Sequence, residues 1–393
     1  MPIVDSSFNV SESLSDFDII VVGAGFFGLT IAERVAAELD RKVLVLEVRD
    51  HIGGNAYSYF DPITGIEIHK YGSHLFHTSN DQVWEYVNRF SSFTDYRHRV
   101  YAKHESQVYS LPINLHTISQ MQGRFVSPNE AAQIINDDSS SANGRKDFES
   151  IALERVGKKI YEAFFKNYTQ KQWRINPTEL PGSTFGRLPV RFTFNNDYFS
   201  DKHQGLPTDG YEKLFMKMIA HENIFVALET DFFNVRQHID FEKQILVYTG
   251  PLDRFYDYDE GLLTWRTLDF QLETHNLRDY QGTSVMNYVD ADETFTRIHE
   301  FKHLHPERGI ESDSTVIMKE YSRLAKEHDD PYYPVNSPND RLRLEAYRGK
   351  PRPPNVIFGG RLGSYMYLDM HMAIASALST FDQVVSPKMK ENT

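Results

Sequence analysis

Three groups of residues have types and spacings that can do chemistry. The first is Gly23-Ala24-Gly25-Phe26-Phe27-Gly28, with Glu47 further on. Gly23 permits a tight turn, Gly25 lets a pyrophosphate approach the backbone, and Gly28 lets a helix pack close to a sheet. The helix start then turns free N–H groups toward the phosphates. Glu47 can accept hydrogen bonds from an adenosine ribose. The second group is His74 and His77, flanked by apolar residues. No carboxylate or further histidine sits at a useful sequence spacing for a metal. A structural role stays open, as does a loop pressed against a cofactor, which the nearby Gly72 suggests. The third group is an aromatic stripe. Phe164, Tyr168 and Gln172 share one helical face, and Phe165, Thr169 and Trp173 share the next. Such a stripe is either core packing or a platform on which a flat base stacks.

These residues need elements to hold them. Asp18 to Val22 is an apolar run expected to form a buried parallel strand. A helical pattern follows over 29–39, then a second apolar run, Val43 to Leu46, ending at Glu47. The paired glycines of Arg49-Asp50-His51-Ile52-Gly53-Gly54-Asn55 let the chain pass close to a large cofactor. They resemble the FAD signature shared by amine oxidases, carotenoid desaturases and related flavoproteins, so FAD is expected in preference to NAD. Further on, the sequence predicts a hairpin over 56–69, a helix over 80–90 and a strand or hairpin over 97–111. Residues 114–173 read as helical, interrupted by a polar loop over 137–144. Arg191-Phe192-Thr193-Phe194 reads as a strand, 211–220 as a helix, and 224–228 and 245–251 as strands. A period of two from 263 to 319 predicts an antiparallel sheet, with strands at 265–273, 283–288, 295–301 and 315–321. A loop over 329–336 precedes a helix over 338–347. A strand and glycine pair at 356–360 lead to a helix over 369–380 that returns to the first domain.

The chain of 393 residues allows two or three domains. With 40% hydrophobic and 25% charged residues it reads as globular. No apolar run reaches the ~18 residues that span a bilayer. Residues 1–15 are polar and acidic and are expected to be a disordered tail, not a signal peptide. There is no cysteine, which excludes disulfides, thiolate metal sites and cysteine nucleophiles and fits a cytoplasmic protein. A net charge of −13 argues against nucleic-acid or membrane-surface binding. An anionic substrate then needs a local basic pocket.

Taken together, GAGFFGLTIAERVA, HIGGNAYS, HKYGSHLFHTSN, YTQKQW, RLPVRFTFNNDYFSD, GLPTDGY, YTGPLDRFYDY, TRIHEFKH, PYYPVN and FGGRLGSYMYLDMHMAIA closely resemble the bacterial UDP-galactopyranose mutases, from about residue 18 to 380. The resemblance implies an α/β fold: a FAD-binding Rossmann-like domain with an inserted helical domain and an antiparallel β-sheet domain. The expected boundaries are 16–94, 203–252 and 353–386 for the FAD domain, 112–185 for the helical domain, and 95–111, 186–202 and 253–352 for the sheet domain. It implies interconversion of UDP-galactopyranose and UDP-galactofuranose, supplying galactofuranose for cell-surface glycans. There is no net redox change. In the mechanism the resemblance implies, N5 of reduced FAD would attack the anomeric carbon and displace UDP, the sugar ring would open and reclose through its other hydroxyl, and UDP would re-attack the anomeric carbon and release the flavin.

Residue by residue, the resemblance makes Arg187 and Arg297 the pair that holds the diphosphate as charge grows on the departing UDP. It makes Tyr198, Tyr333 and Tyr367 phosphate donors, with Tyr332 the competing register for Tyr333. Phe164, Phe165, Tyr168, Thr169 and Trp173 become the uridine and sugar platform, with His98 and Asn287 as further contacts. His74 and His77 lie beside the isoalloxazine and respond to its redox state or move protons, with no metal bound. FAD is carried by Gly23, Gly25, Phe27, Gly28, Glu47, Gly54, Asn55, Leu75, Phe232, Arg361, Asp369 and Met370. A homodimer and an unidentified reductant, NAD(P)H being the candidate, are also implied. A flavin oxidoreductase would share the first 55 residues, and a non-catalytic nucleotide-binding module would bind without turnover.

Overall fold

The computed structural model describes residues 3–4, 9–187 and 190–391. Its first layer is a five-stranded parallel sheet. The strands lie in the order Val356–Phe358, Ile245–Tyr248, Ile19–Val22, Val43–Leu46, Ile224–Ala227. Ile19 and Val21 face the helix Phe26–Leu39, while Ile20 faces a second cluster with Leu14, Phe232 and Tyr248. Both faces are therefore covered, which is why these strands read as continuous apolar runs. The helix Met370–Thr380 packs along Phe26–Leu39 and brings the C-terminal segment back to this layer.

The second sheet has seven strands, in the order Tyr333–Pro334, Trp265–His275, Thr315–Leu324, Arg297–Glu300, Val285–Tyr288, Val100–His104, Gln107–Leu111. Its neighbours are antiparallel except Val285–Tyr288 beside Val100–His104. Between the two outermost strands of that edge and the rest of the chain comes the helical insertion. Helices Leu115–Gln122, Pro128–Asp138, Phe148–Val156 and Asn167–Trp173 close around their own core of Ile118, Phe148, Ala152, Phe164, Phe165 and Phe185. A capping box at Ser127, with Glu130 answering its N–H, fixes the start of one of them. Tyr161–Lys166 is π-helical, a wider turn at the head of the aromatic stripe.

Three expectations need correction. Arg191 to Phe194 is a bend, not a strand. Its backbone bonds go to the approach of a helix: Arg191 N–H to Ile113 O at 2.9 Å, and Leu115 N–H to Thr193 O at 3.1 Å. Alternation over four residues is too short to separate the two. The described part of the first 15 residues is ordered. Asn9 caps the helical turn Val10–Ser13, Leu14 is buried in the core, and Gln244 Nε2 donates to Leu14 O at 2.6 Å. Within the expected loop 329–336, Tyr333–Pro334 joins the sheet edge, where a proline's missing N–H costs nothing.

Candidate functional site

The glycine turn does three separate jobs. A Cβ on Gly23, whose φ is +99°, would overlap Thr249 Oγ1, and one on Gly28 would overlap the Gly23 carbonyl. A Cβ on Gly25 would meet nothing within 4 Å. The turn is thus sealed on two sides and open at Gly25. The paired glycines close against it: Gly53 N–H donates to Ala24 O at 2.7 Å, and a Cβ on Gly54 would sit 3.2 Å from Gly25 Cα. Helix Phe26–Leu39 begins without a side-chain cap, leaving its first N–H groups facing that opening. Buried Glu47 accepts the N–H of Ala24 at 2.7 Å and of Arg49 at 3.0 Å. Burial raises its pKa, which these two bonds oppose. An open approach, uncapped N–H groups and a buried carboxylate fit the pyrophosphate and ribose of a dinucleotide.

The remaining cradle residues divide by what they have free. The Phe27 ring fills the space beside Gly359, and the Phe232 ring packs on Phe233 and Tyr248 with centroids 5.1 and 5.3 Å away. Both leave only backbone for a ligand. Asn55 Oδ1 accepts from Arg49 Nη2 at 2.9 Å, and Arg49 also pairs with Asp330 at 2.8 Å and lies over the Tyr71 ring. Leu75 packs half-buried against the main core. Arg361 holds the C-terminal loop: its Nε donates to Leu368 O at 3.2 Å and its Nη1 to Tyr332 O at 3.1 Å. Asp369 and Met370 open helix Met370–Thr380, and Asp369 leaves its own helix uncapped and instead accepts from the Tyr367 phenol.

Opposite the cradle, strand register lines up Asn287, Arg297, Glu320 and Phe270 across four strands, so all four share one face. Arg297 Nη2 donates to Tyr168 Oη at 2.7 Å, and its Nε lies 3.2 Å from Glu320 Oε1. Burial disfavours the charge on each, but the pairing outweighs it. Arg297 is held above the ordinary guanidinium range, and Glu320 falls to about 2. Among the described residues, buried Asn287 Oδ1 has no hydrogen-bond donor.

The histidine loop docks on this row. A Cβ on Gly72 would sit 3.4 Å from the Phe270 ring, and Ser73 Oγ lies 2.8 Å from His299 Nδ1. His74 is pushed by burial down to about 4 and is neutral. Its Nδ1 is 2.8 Å from Gly72 O, an acceptor, so Nδ1 carries the proton and Nε2 keeps a lone pair. His77 Nδ1 meets Asp201 Oδ2 at 2.7 Å, and its ring stacks on Phe199 at 3.7 Å.

The tyrosines converge nearby. Tyr333 and Tyr367 stack at 5.8 Å, and Tyr333 feels the charges of Glu320, Arg297 and Arg361. Tyr332 is buried beside Phe270 instead. Tyr198 is exposed, its N–H donating to His98 O at 2.7 Å. Buried His98 is lowered to about 3 by desolvation first and then by Arg297. Within the stripe, Phe164 packs edge-on to Tyr109 and Phe165 to Phe185, Thr169 is buried, Trp173 is half-buried, and Tyr168 reaches Arg297. Arg187 ends the turn Gly182–Arg187, and its side chain lies outside the described residues.

A family profile described as UDP-galactopyranose mutase matches residues 163–367, and one described as an NAD(P)-binding Rossmann-like domain matches 21–90. The chain is 44% identical over 375 residues to a probable UDP-galactopyranose mutase of Klebsiella pneumoniae, covering 95% of this chain and 96% of that one. It belongs to the UDP-galactopyranose mutase family. It is also 41% identical to a dTDP-fucopyranose mutase of Escherichia coli, over 92% of this chain and 96% of the relative. A crystal structure of reduced UDP-galactopyranose mutase shares the fold, with a TM-score of 0.66 at 16% identity and 94% of each chain covered. The chain is therefore an enzyme of this mutase family with a Rossmann-like dinucleotide domain. Among the described residues no helix is long and apolar enough to cross a membrane.

For a mutase, the sequence reading missed the groups that hold its candidate residues in place. Ser73 and His299 lie inside two of the blocks that resemble the family but received no role there, Glu320 lies in none, and only the fold brings Ser73 and Glu320 to the strand of Arg297 and His299. Asp201 and His371 likewise reach His77 through the fold. His77, Asp369 and His371 present ligand atoms within 4.8 Å of one another, although nearly three hundred residues separate the first from the others.

Proposed function

We propose that the chain is a FAD-dependent isomerase that interconverts UDP-galactopyranose and UDP-galactofuranose. The observation that carries this reading is the docking of the cradle's histidine loop onto the buried Arg297–Glu320 row, with Tyr168, Tyr333 and Tyr367 around it. A dinucleotide site alone would serve many oxidoreductases. One that faces a fixed guanidinium and several phenols is suited to a nucleoside diphosphate.

FAD would be held by Gly23, Gly25, Gly28, Glu47, Gly54 and Asn55, by backbone at Phe27 and Phe232, and by Leu75, Arg361, Asp369 and Met370. When bound and reduced it supplies a nucleophile, N5, for the anomeric carbon. The chain's own residues do the rest. Arg297, with Arg187 as the second arginine that the family resemblance implies, takes up the negative charge that UDP acquires as its bond to the sugar breaks. Burial keeps the Tyr333 and Tyr367 phenols protonated; Tyr333 and Tyr198 are then donors to the phosphates, and Tyr367 joins them by turning its single O–H from Asp369 to the ligand. Trp173, Tyr168, Thr169, Phe164 and Phe165 form the wall for uridine and sugar, with Asn287 Oδ1 and His98 beside it. The His74 Nε2 lone pair can accept a proton on the cradle side, and His77 is held by Asp201. The three-domain division, a cytoplasmic homodimer, reduction by NAD(P)H and supply of galactofuranose for surface glycans belong to the same reading.

The 41% identical dTDP-fucopyranose mutase supports a second reading, a deoxysugar nucleotide as substrate. One assay separates the possibilities. Dithionite-reduced protein is incubated with UDP-galactofuranose or dTDP-fucofuranose, and the sugar nucleotides are resolved by chromatography. Conversion to UDP-galactopyranose without net consumption of reductant is expected. Preferential turnover of the thymidine substrate favours the second reading, and turnover only with stoichiometric reductant oxidation overturns both.

A further inference from the structure

We propose that Ser73, His299 and Glu320 are positioning residues for Arg297, which makes Ser73, a residue of the cofactor-side loop, a determinant of diphosphate affinity. The proposal rests on the reading of Arg297 as the diphosphate ligand. His299 and Glu320 are both almost fully buried. His299 Nε2 lies 3.2 Å from Glu320 Oε2, while Glu320 Oε1 lies 3.2 Å from Arg297 Nε and 3.2 Å from Thr296 Oγ1.

The direction of every link follows from donor chemistry. An ionised carboxylate only accepts, so His299 Nε2 must carry the proton. Neutral His299 then has a bare Nδ1, which accepts from the Ser73 hydroxyl at 2.8 Å. The chain Ser73 to His299 to Glu320 is thus fully oriented, and one carboxylate is divided between its end and Arg297. Removing the Ser73 donor leaves a buried imidazole nitrogen unpaired. His299 can recover a partner only by turning, and that frees Oε2 to draw the guanidinium off the axis set by Tyr168. Ser73 itself need not touch the substrate for this to happen.

The test is a double-mutant cycle on UDP affinity, read by titration calorimetry on FAD-loaded protein, with flavin absorbance confirming the loading. Ser73→Ala is expected to weaken UDP binding by about two- to tenfold, the size of one net hydrogen bond. Ser73→Thr should restore it. In an Arg297→Lys background, which cannot keep both the ion pair at Nε with Glu320 and the Nη2 hydrogen bond to Tyr168, Ser73→Ala should cost little more. Fully additive losses, or wild-type affinity in Ser73→Ala, overturn the network while leaving the mutase reading intact. Absence of UDP binding by the wild-type protein overturns both.

Discussion

At the scale of single residues, the site is a set of buried charges and neutral histidines whose states are fixed by neighbours. Arg297→Ala should lower turnover by about 10²–10³-fold, as expected for losing a donor aimed at developing charge. It would also strand Glu320 in a buried position. Steady-state assays on FAD-loaded protein check the first effect, and retained flavin absorbance separates it from unfolding. A pH effect follows from His69, His74 and His98, lowered by burial to about 3, 4 and 3. Their folded values lie below the ordinary ~6.5, so the unfolded chain binds more protons as pH falls. Stability is full above pH ~6.5 and declines from there toward pH 4. At pH 5 each such histidine should cost about 2 kcal/mol. Thermal melts at pH 7 and pH 5 should therefore diverge, and His98→Asn should narrow the gap. Glu320 acts in the same sense at lower pH, losing its contribution between the ordinary carboxylate value of ~4.3 and about 2.

At the scale of elements, legibility followed sequence distance. The cradle lies within some forty residues and carries its logic in spacing, so Gly23, Gly25, Gly28 and Glu47 were readable. Of the Arg297 row, Arg297 and Asn287 were reached only through the family resemblance and Glu320 and Phe270 not at all, because these residues meet only through pairing across four strands. The Arg191–Phe194 bend was misread because short alternation resembles a strand wherever it occurs. In the tail, the described residues 9–15 depart from the expectation because Leu14 is one buried residue in a polar stretch, and residues 1–2 and 5–8 lie outside the described residues. Within the cradle, the glycines should respond differently to the same change. Gly28→Ala would overlap the Gly23 carbonyl and should lower the melting temperature of the apoprotein by several degrees. Gly25→Ala points into open space and should leave that temperature unchanged while weakening flavin binding. Melting curves with and without FAD distinguish them.

At the scale of the whole molecule, the helical insertion has to be held against the antiparallel sheet if its stripe is to serve Arg297. Lys171 is a principal clamp: its buried ammonium donates to the carbonyls of Tyr288, Asp290 and Glu293 at 2.6, 2.7 and 3.0 Å. Lys171→Met leaves three carbonyls without that donor. It should raise KM for the sugar nucleotide several-fold and leave FAD content unchanged, as substrate titrations with flavin quantification would show. The parallel sheet has a consequence of a different kind, in time. Its central strand begins at Ile19, and its edge strand is completed only at Phe358, with the loop of Arg361 and Asp369 still to follow. Almost the whole chain must leave the ribosome before the cradle can close. Such distant pairing is slow, so on the proposed reading flavin would bind only once the sheet has formed. Adding it during refolding should raise the yield of active protein without hastening the formation of the sheet.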